Sequence, residues 1–504
     1  MLLALDAGSR SGRCLAFNLA GTLVAGARQS WAPETVPGLE PFGMEFNPGH
    51  IWSTLSELVR QVLTHIEPAQ VAGVSVTALR LGCAFLDAEG HTIYLGPNCD
   101  IRALISDLVI ESLIDENEIY KITRHWPPMV YAPSRLCWFR AHAPEVHDRI
   151  RYTLSFSDWM VTQLCGAICS EPSSAADLML LDVAEGHWSE KMAAALGREA
   201  SRFQPLYQSG EVAGVINDNA SEQTGLRPGT PVAVGGGDTQ CALLGMGVIH
   251  GGQIGIVAGS SAPVVLVNDH PVFDPYDHLW IGRHVIPRLW LLEANCSEMG
   301  SLHQWMLDTY AADLKILAEQ TGQNVYDLFD RQAQQAPPGC KGVSCHLGPR
   351  RHNPRKINTA RPAAVLMPFG DAIRKNPERE NFLRAFYENC AFALRANLEM
   401  LEQVAGEKAA GVTIGGGLSR SAFLCEILAS VLNRPVHAPA ISESSALGAA
   451  ICAAMGARLI NSLEEGAALM VQPGAVFEPQ ANDMEECQEG YERWLEREEH
   501  LEEI

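Results

Sequence analysis

The chain opens on a short unbroken apolar run, Leu2 to Leu5, the pattern of a strand buried on both faces. A turn rich in small residues, Asp6 to Arg13, leads to a second apolar run, Cys14 to Asn18, and Ala20-Gly21 turns again. Two such runs joined by a turn predict a β-hairpin that opens a meander. Ala32 to Pro48 is rich in Pro and Gly and reads as a loop. Asn47-Pro48 then supplies an N-cap and a first-turn proline for a helix to about His65. Val71 to Val76 returns to strand character, and Ala103 to Leu226 mixes helical periodicity with turns. Strands alternating with helices predict a layered α/β fold.

Pro231 to Val234 reads as a strand running into Gly235-Gly236-Gly237-Asp238. Gly252 to Val267 holds a second strand–turn–strand pattern. Its turn, Ala258-Gly259-Ser260, matches Ala7-Gly8-Ser9, and the strands that follow end near Asn268 and Asn18. Two similar hairpins half a chain apart suggest two related halves. Farther on, Gly411 to Ile414 is a strand ending in Gly415-Gly416-Gly417, with a helix from Ser421 to Leu432. Pro435 to His437 reads as a short strand, and Glu443 to Met455 as an Ala-rich helix able to pack close to its neighbours. From Asp483 onward there are ten acidic residues against two Arg. Met484, Cys487, Tyr491 and Trp494 recur at helical spacing, which favours a docked amphipathic helix over an acidic recruitment tail.

Composition narrows the function. With 504 residues, 47% hydrophobic and 19% charged, the chain is globular and has room for several domains. Its net charge of −22 argues against a nucleic-acid-coating or membrane-surface protein, which needs a basic face. Phosphate ligands stay open, because backbone N–H groups and a few Arg can hold them. Leu447 to Ala457 is too short and Ala-rich for a membrane helix, and MLLALDAGS has no basic stretch of the signal-peptide kind. The 14 Cys include no CxxC pair and read as reduced, mostly buried thiols of a cytoplasmic protein. Cys340, Cys345, His346 and His352 match no zinc spacing. The sequons at Asn219 and Asn295 are then chance occurrences, and the basic segment Cys340 to Asn358 reads as a loop over a cleft or as a surface patch.

Four Gly-rich turns after strands stand out, at Gly8, Gly235–Gly237, Gly259 and Gly415–Gly417. None has the phosphate-loop pattern G-x-x-x-x-G-K-[ST], and none has the dinucleotide pattern G-x-G-x-x-G. Such turns still bring backbone N–H groups close to a ligand, and two of them carry an adjacent carboxylate, Asp6 and Asp238.

These residues resemble the FGGY carbohydrate kinases of the actin/Hsp70/sugar-kinase ATPase superfamily. Asp6-x-Gly8-Ser9-x-Ser11-x-Arg13 is similar to the family's first phosphate loop, with Ser for Thr. Gly235-Gly236-Gly237-Asp238 resembles the segment with the catalytic Asp, and Ala258-Gly259-Ser260-Ser261 the second phosphate loop. Gly415-Gly416-Gly417-x-x-x-Ser421 resembles the adenosine signature, and Glu443-x-x-Ala446-Leu447-Gly448-Ala449-Ala450 the segment after it. Asn98-x-Asp100-x-Arg102, Ser157-Asp158-Trp159 and Pro172-Ser173-Ser174-Ala175 resemble pieces of the sugar side. Gly43-Met44-Glu45-Phe46, Gly237-Asp238-Thr239-Gln240 and His284-Val285-Ile286-Pro287 add a likeness to the bacterial autoinducer-2 kinases. One departure is Arg80-Leu81, where many relatives read Arg-Glu; another is Glu426, where Gln is common.

The resemblance implies two actin-like (ribonuclease H-like) α/β domains, 1–245 and 246–504, around a central cleft. It implies ATP-dependent phosphorylation of a hydroxyl on a small linear carbohydrate, with Mg²⁺. The acceptor would be an autoinducer-2-like open-chain compound or a pentulose such as xylulose or ribulose; a pseudokinase sensor is the non-enzymatic alternative. Asp238 would be the base, or an Asx-turn residue, and Asp6 would hold Mg²⁺ through water. Gly8, Ser9, Ser11, Gly259 and Ser260 would face the phosphates, and Gly416, Gly417 and Ser421 the adenosine. Arg13 would assist the phosphates or brace its hairpin. Glu45, Arg80 and Asp100 would line the substrate pocket or form ion pairs. No nucleic-acid or membrane partner is expected, and a homodimer is compatible with the resemblance.

Overall fold

The computed structural model describes residues 1–355 and 362–502, so Lys356 to Asn358 of the basic segment lie outside the described residues. Two mixed sheets form the framework. The first holds β1 (Leu2–Ala7), β2 (Ser11–Phe17), β3 (Leu23–Ser30), β4 (Gly73–Ala78), β5 (Val212–Val215) and β6 (Pro231–Gly237), in the order β5-β6-β4-β1-β2-β3. The second holds β7 (Ile254–Val257), β8 (Ser261–Asn268), β9 (Trp280–Arg283), β10 (Trp290–Glu298), β11 (Val412–Gly415), β12 (Val436–Ala438) and β13 (Ala475–Phe477), in the order β9-β10-β8-β7-β11-β12-β13.

Both sheets follow one plan. A hairpin (β1–β2, β7–β8) has an antiparallel strand on one side (β3, β10) and two parallel strands on the other (β4 and β6, β11 and β12). The duplication hinted at by two short turns therefore extends through five strands of each half. The parallel strands are buried on both faces, which is why they appear as unbroken apolar runs rather than alternating ones.

The helices used below are α1 (Pro48–Leu63), α2 (Pro172–Asp177), α3 (Asp238–Gly245), α4 (Gly300–Tyr310), α5 (Arg379–Ala405), α6 (Ala422–Leu432), α7 (Ser444–Gly456) and α8 (Met484–Glu502). Asn47 caps α1 by accepting the His50 N–H at 3.0 Å, as its sequence predicts. The acidic C-terminal segment is a docked helix: Cys487, Tyr491 and Trp494 of α8 are buried, and Trp494 Nε1 donates to Asn389 on α5 at 2.8 Å. Among the described residues no helix is long and apolar enough to cross a membrane.

Two expectations need correction. Ala32 to Pro48 is not wholly loop, because Glu34–Thr35 and Met44–Glu45 pair as a small ladder. The Gly235–Gly237 run is not a turn but the last three residues of β6. A Cβ on Gly235 would lie 1.7 Å from Val76 O on the neighbouring strand, so glycine is what lets β6 and β4 approach there. The helix then begins directly at Asp238.

Helices α3 and α7 cross at backbone contact. A Cβ on Gly245 would meet Ser444 O at 2.1 Å, and one on Gly448 would meet Cys241 O at 1.9 Å. Helix α7, although its chain position belongs to the second half, packs its alanines against the first sheet, where Gly73 sits below Ala453 O. A side chain at this crossing must push two helices apart. Gly448→Ala is expected to cost about 3 kcal/mol or more of stability, as overpacking against backbone does, measurable as a lowered denaturant midpoint.

Candidate active site

Strands β1, β4 and β6 are parallel neighbours, so their carboxyl ends lie side by side. Asp6 lies near the end of β1, Arg80 two residues beyond β4, and Asp238 directly after β6. In open α/β sheets the carboxyl ends of the strands are where ligands bind.

The β1–β2 register sets Asp6 opposite Arg13, and their side chains approach to 3.6 Å. Arg13 makes a closer bond to Glu443, just before α7, and Glu443 also takes Arg420 at 3.0 Å. Burial pushes the Asp6 carboxyl above its usual range, while Arg13 pulls it back. Within the turn, the Gly8 N–H donates to Ser11 O at 2.9 Å. Gly8 therefore shapes the turn, and Ser9 stands at its tip with its hydroxyl 3.2 Å from Asn98 Oδ1. Ser11 is the first residue of β2 and is buried.

The second turn repeats this logic, with the Gly259 N–H donating to Ser261 O at 2.9 Å. Ser260 O accepts from Met299 and Gly300, which seats the turn on the start of α4. Gly416 has φ +89°, and a Cβ there would lie 2.6 Å from Ala258 O, so its glycine is needed to pack the third turn on the second. Gly417 has nothing within 4 Å of a would-be Cβ and is the position open to a planar ligand. Ser421 caps α6 by accepting the Leu424 N–H at 3.1 Å.

Asp238 is the N-terminal residue of α3, where the helix dipole favours a carboxylate. Its side chain keeps 36% of its surface exposed. Desolvation nevertheless raises its pKa to about 6, against the Arg80 guanidinium, which lowers it; Asp6 raises it further. Arg80 Nε lies 3.9 Å from Asp238, but its terminal nitrogens are held elsewhere. Nη1 and Nη2 bond the two oxygens of Glu293 on β10 at 2.5 and 2.6 Å, and Asp177 at the end of α2 is 3.8 Å away. Burial alone would raise Asp177, but Arg80, His125 and Gln240 outweigh it and hold it below the usual range.

The three substrate-pocket candidates all form ion pairs. Arg80 crosses between the two sheets to Glu293. Asp100 is sealed, with Arg102 Nε at 2.8 Å and the Tyr94 hydroxyl donating to it. Glu45 accepts from Arg102 Nη2 at 2.8 Å and keeps a third of its side chain exposed. Arg135 ties this cluster to the cleft, donating to Asp100 O at 3.2 Å and to Leu81 O at 2.8 Å. Glu293, Asp177 and Glu443 are members of the site that the sequence reading did not assign to it. The available signal was a carboxylate inside the apolar run of β10, which cannot be buried without a cation. Cys340, Cys345, His346 and His352 form no metal group among the described residues; His346 bonds Glu498 at 2.7 Å, and His352 packs on Trp280.

The site suits a divalent cation. Asp6 is an oxygen donor whose carboxyl desolvation raises, and its charge pushes Asp238 up in turn. A hard cation at Asp6 would offset that repulsion.

Comparison with known proteins shows the family. The model for the N-terminal domain of the FGGY family of carbohydrate kinases matches residues 1–245, and that for the C-terminal domain matches 254–457. An autoinducer-2 kinase of Salmonella paratyphi B is 31% identical over 501 residues, 98% of this chain and 93% of that protein. One of Escherichia coli is 31% identical over 498 residues, with the same shares covered. The structure of ligand-bound xylulose kinase from Lactobacillus acidophilus superposes with a TM-score of 0.84 at 18% identity, over 99% of this chain and 98% of that one, which shows the shared actin-like fold.

Asp238 is expected to titrate near 6 in the unliganded protein. Arg80→Gln removes the cation that favours its charged form and should move the midpoint upward. Carboxyl-¹³C NMR of Asp-labelled protein, with Asp238→Asn to assign the signal, reads both values.

Proposed function

This chain belongs to the FGGY family of carbohydrate kinases, ATP-dependent phosphotransferases acting on sugar hydroxyls, and we propose that its acceptor is a small open-chain, autoinducer-2-like polyol diketone. The observation that carries the catalytic part is the row of Asp6, Arg80 and Asp238 at the ends of three parallel strands. The acceptor part rests on the near-full-length likeness to autoinducer-2 kinases.

In this reading Asp238 is the general base. Phosphoryl transfer requires positioning and charge neutralisation, plus a weak base for the hydroxyl proton. A carboxylate with a pKa near 6, reachable from the cleft, is ionised at neutral pH and still basic enough to accept that proton. Asp6 would hold Mg²⁺, which when bound would neutralise charge on the phosphates. The tips of the two matching turns, at Ser9 and Ser260, present the backbone to the phosphates, while Gly8 and Gly259 shape those turns. Gly417 gives adenosine its open side. Arg13 holds Asp6 in place and links it through Glu443 to Arg420, next to the adenosine turn.

Next to Gly237 a pocket of about 10 Å³, room for a single water, is lined by Arg80, Leu81, Ser155, Ser157, Ser174 and Asp177. The 14 free thiols fit a reducing cytoplasm, where ATP is supplied.

ADP release with Mg·ATP across pentuloses, hexuloses, polyols and the autoinducer-2 precursor tests this reading. Turnover is expected with the autoinducer-2 precursor. Asp238→Asn should lower kcat by about 10²- to 10⁴-fold, the range of a general base, while ATP still binds. In the wild type, kcat/KM should rise with pH through about 6 as Asp238 ionises. Turnover with xylulose or ribulose alone moves the acceptor to a pentulose. ATP binding with no acceptor-stimulated turnover favours a pseudokinase.

A further inference from the structure

The Arg80 guanidinium has three carboxylates within 4 Å, and it does not share them equally. Glu293 takes it in a two-pronged bond at 2.5 and 2.6 Å, whereas Asp177 and Asp238 stand back at 3.8 and 3.9 Å. Fork-to-fork Arg–carboxylate pairs fix orientation as well as distance. Glu293 is buried on β10 of the second sheet, where it pairs in register with Val265 and Trp280, so its backbone cannot follow a moving partner. Arg80 follows β4 of the first sheet. The bond therefore draws the cation across the cleft floor and away from the base.

We propose that Glu293 is a positioning residue for phosphoryl transfer: by holding Arg80 in a two-pronged bond it prevents the guanidinium from closing onto Asp238 and leaves that carboxylate free for the acceptor hydroxyl. The proposal rests on Asp238 being the base. The groups facing Asp238 are Asp6 on β1, Arg13 on β2, Arg80 after β4 and Asp177 on α2, with Thr239 Oγ1 donating to it at 3.3 Å. Arg80 is the nearest cation among them and the one whose distance Glu293 sets. Without Glu293, the carboxylates that remain within 4 Å of the guanidinium among the described residues are Asp177 and Asp238. A guanidinium paired directly with a base ties up its oxygens and weakens it as a proton acceptor. Leu81, beside Arg80, carries no carboxylate that could take over.

The test uses Glu293→Gln, Arg80→Gln and the double variant in the full chain. The first readout is the Asp238 titration by carboxyl-¹³C NMR, which needs neither acceptor nor ATP. Glu293→Gln should lower the midpoint below the wild-type value, and the double variant should raise it above that value. The second readout is turnover with whichever acceptor the wild type uses. Glu293→Gln should lower kcat about tenfold or more, as misplaced catalytic groups do, with the KM for ATP little changed, and should shift the acid limb to lower pH. The double variant should recover part of that kcat. An Asp238 midpoint unmoved in folded Glu293→Gln, or a double variant whose losses simply multiply, overturns the proposal. If Glu293→Gln fails to fold, Glu293→Asp replaces it: its shorter side chain keeps the charge but loosens the fork, and an unmoved midpoint there is equally fatal. Because the titration is independent of acceptor, a failed acceptor panel bears on the substrate reading and not on this one.

Discussion

The crossing of α3 and α7 is the constraint on which the rest of the site depends. Two helices can touch at backbone only where both lack side chains, and Gly245 and Gly448 provide that. One of these helices begins with Asp238, and the other follows Glu443, the partner of Arg13. The same contact therefore sets the spacing between Asp238 and Glu443, the residue that anchors Arg13 beside the first turn. It also explains the alanine content of α7, since small side chains let that helix lie flat on the first sheet while joining the second half of the chain. A pair of halves connected only by loops would leave these distances free to vary; the glycine crossing fixes them at one point.

Charge is distributed around that point as a chain of alternating signs. Asp6, Arg13, Glu443 and Arg420 run from the first turn toward the turn at Gly416 and Gly417, and Asp238, Arg80 and Glu293 run from the end of β6 to the second sheet. Each buried or half-buried carboxylate in these chains faces a guanidinium, which offsets the desolvation that pushes Asp6 and Asp238 upward. Arginine suits this task because its fork keeps two acceptors in fixed directions. The second chain crosses from one sheet to the other through Arg80 and Glu293, so the charge around Asp238 and the relative placement of the two halves are set by the same bond.

The two hairpins and the parallel strands beside them were legible in the sequence because buried strands are continuous apolar runs and the glycine turns mark their ends; β3, β5, β9, β10, β13 and the order of the strands were not. Asp6, Asp238 and the three small-residue turns are local motifs, readable within a dozen residues. What could not be read was partnership. Glu443 lies 430 residues from Arg13, and Glu293 lies 213 residues from Arg80. No periodicity reports such pairs; only the fold brings them together. For the same reason Arg80, Asp100 and Glu45 could be named as pocket or ion-pair residues without deciding between the two. The structure shows the ion pairs, with Asp100 wholly sealed by Tyr94, Arg102 and Arg135. The Gly235–Gly237 run misled in a different way. Three glycines look like a turn, yet here they extend a strand, because the need was for closeness to Val76 rather than for a change of direction.

The duplicated sheets show how the two halves came to do different work. The turns match, Ala7-Gly8-Ser9 with Ala258-Gly259-Ser260, but Asp6 has Val257 as its counterpart. The second hairpin thus offers backbone and a hydroxyl at its tip but no carboxylate before its turn, and it sits on the start of α4. Charge on the two matching hairpins is confined to the first half. The second half keeps the backbone geometry and gives its carboxylates, Glu293 and Glu443, to the arginines of the first. A symmetric pair of charged turns would set two carboxylates against each other across the cleft. With a carboxylate before one turn only, the repeated architecture has a charged side and a polar side.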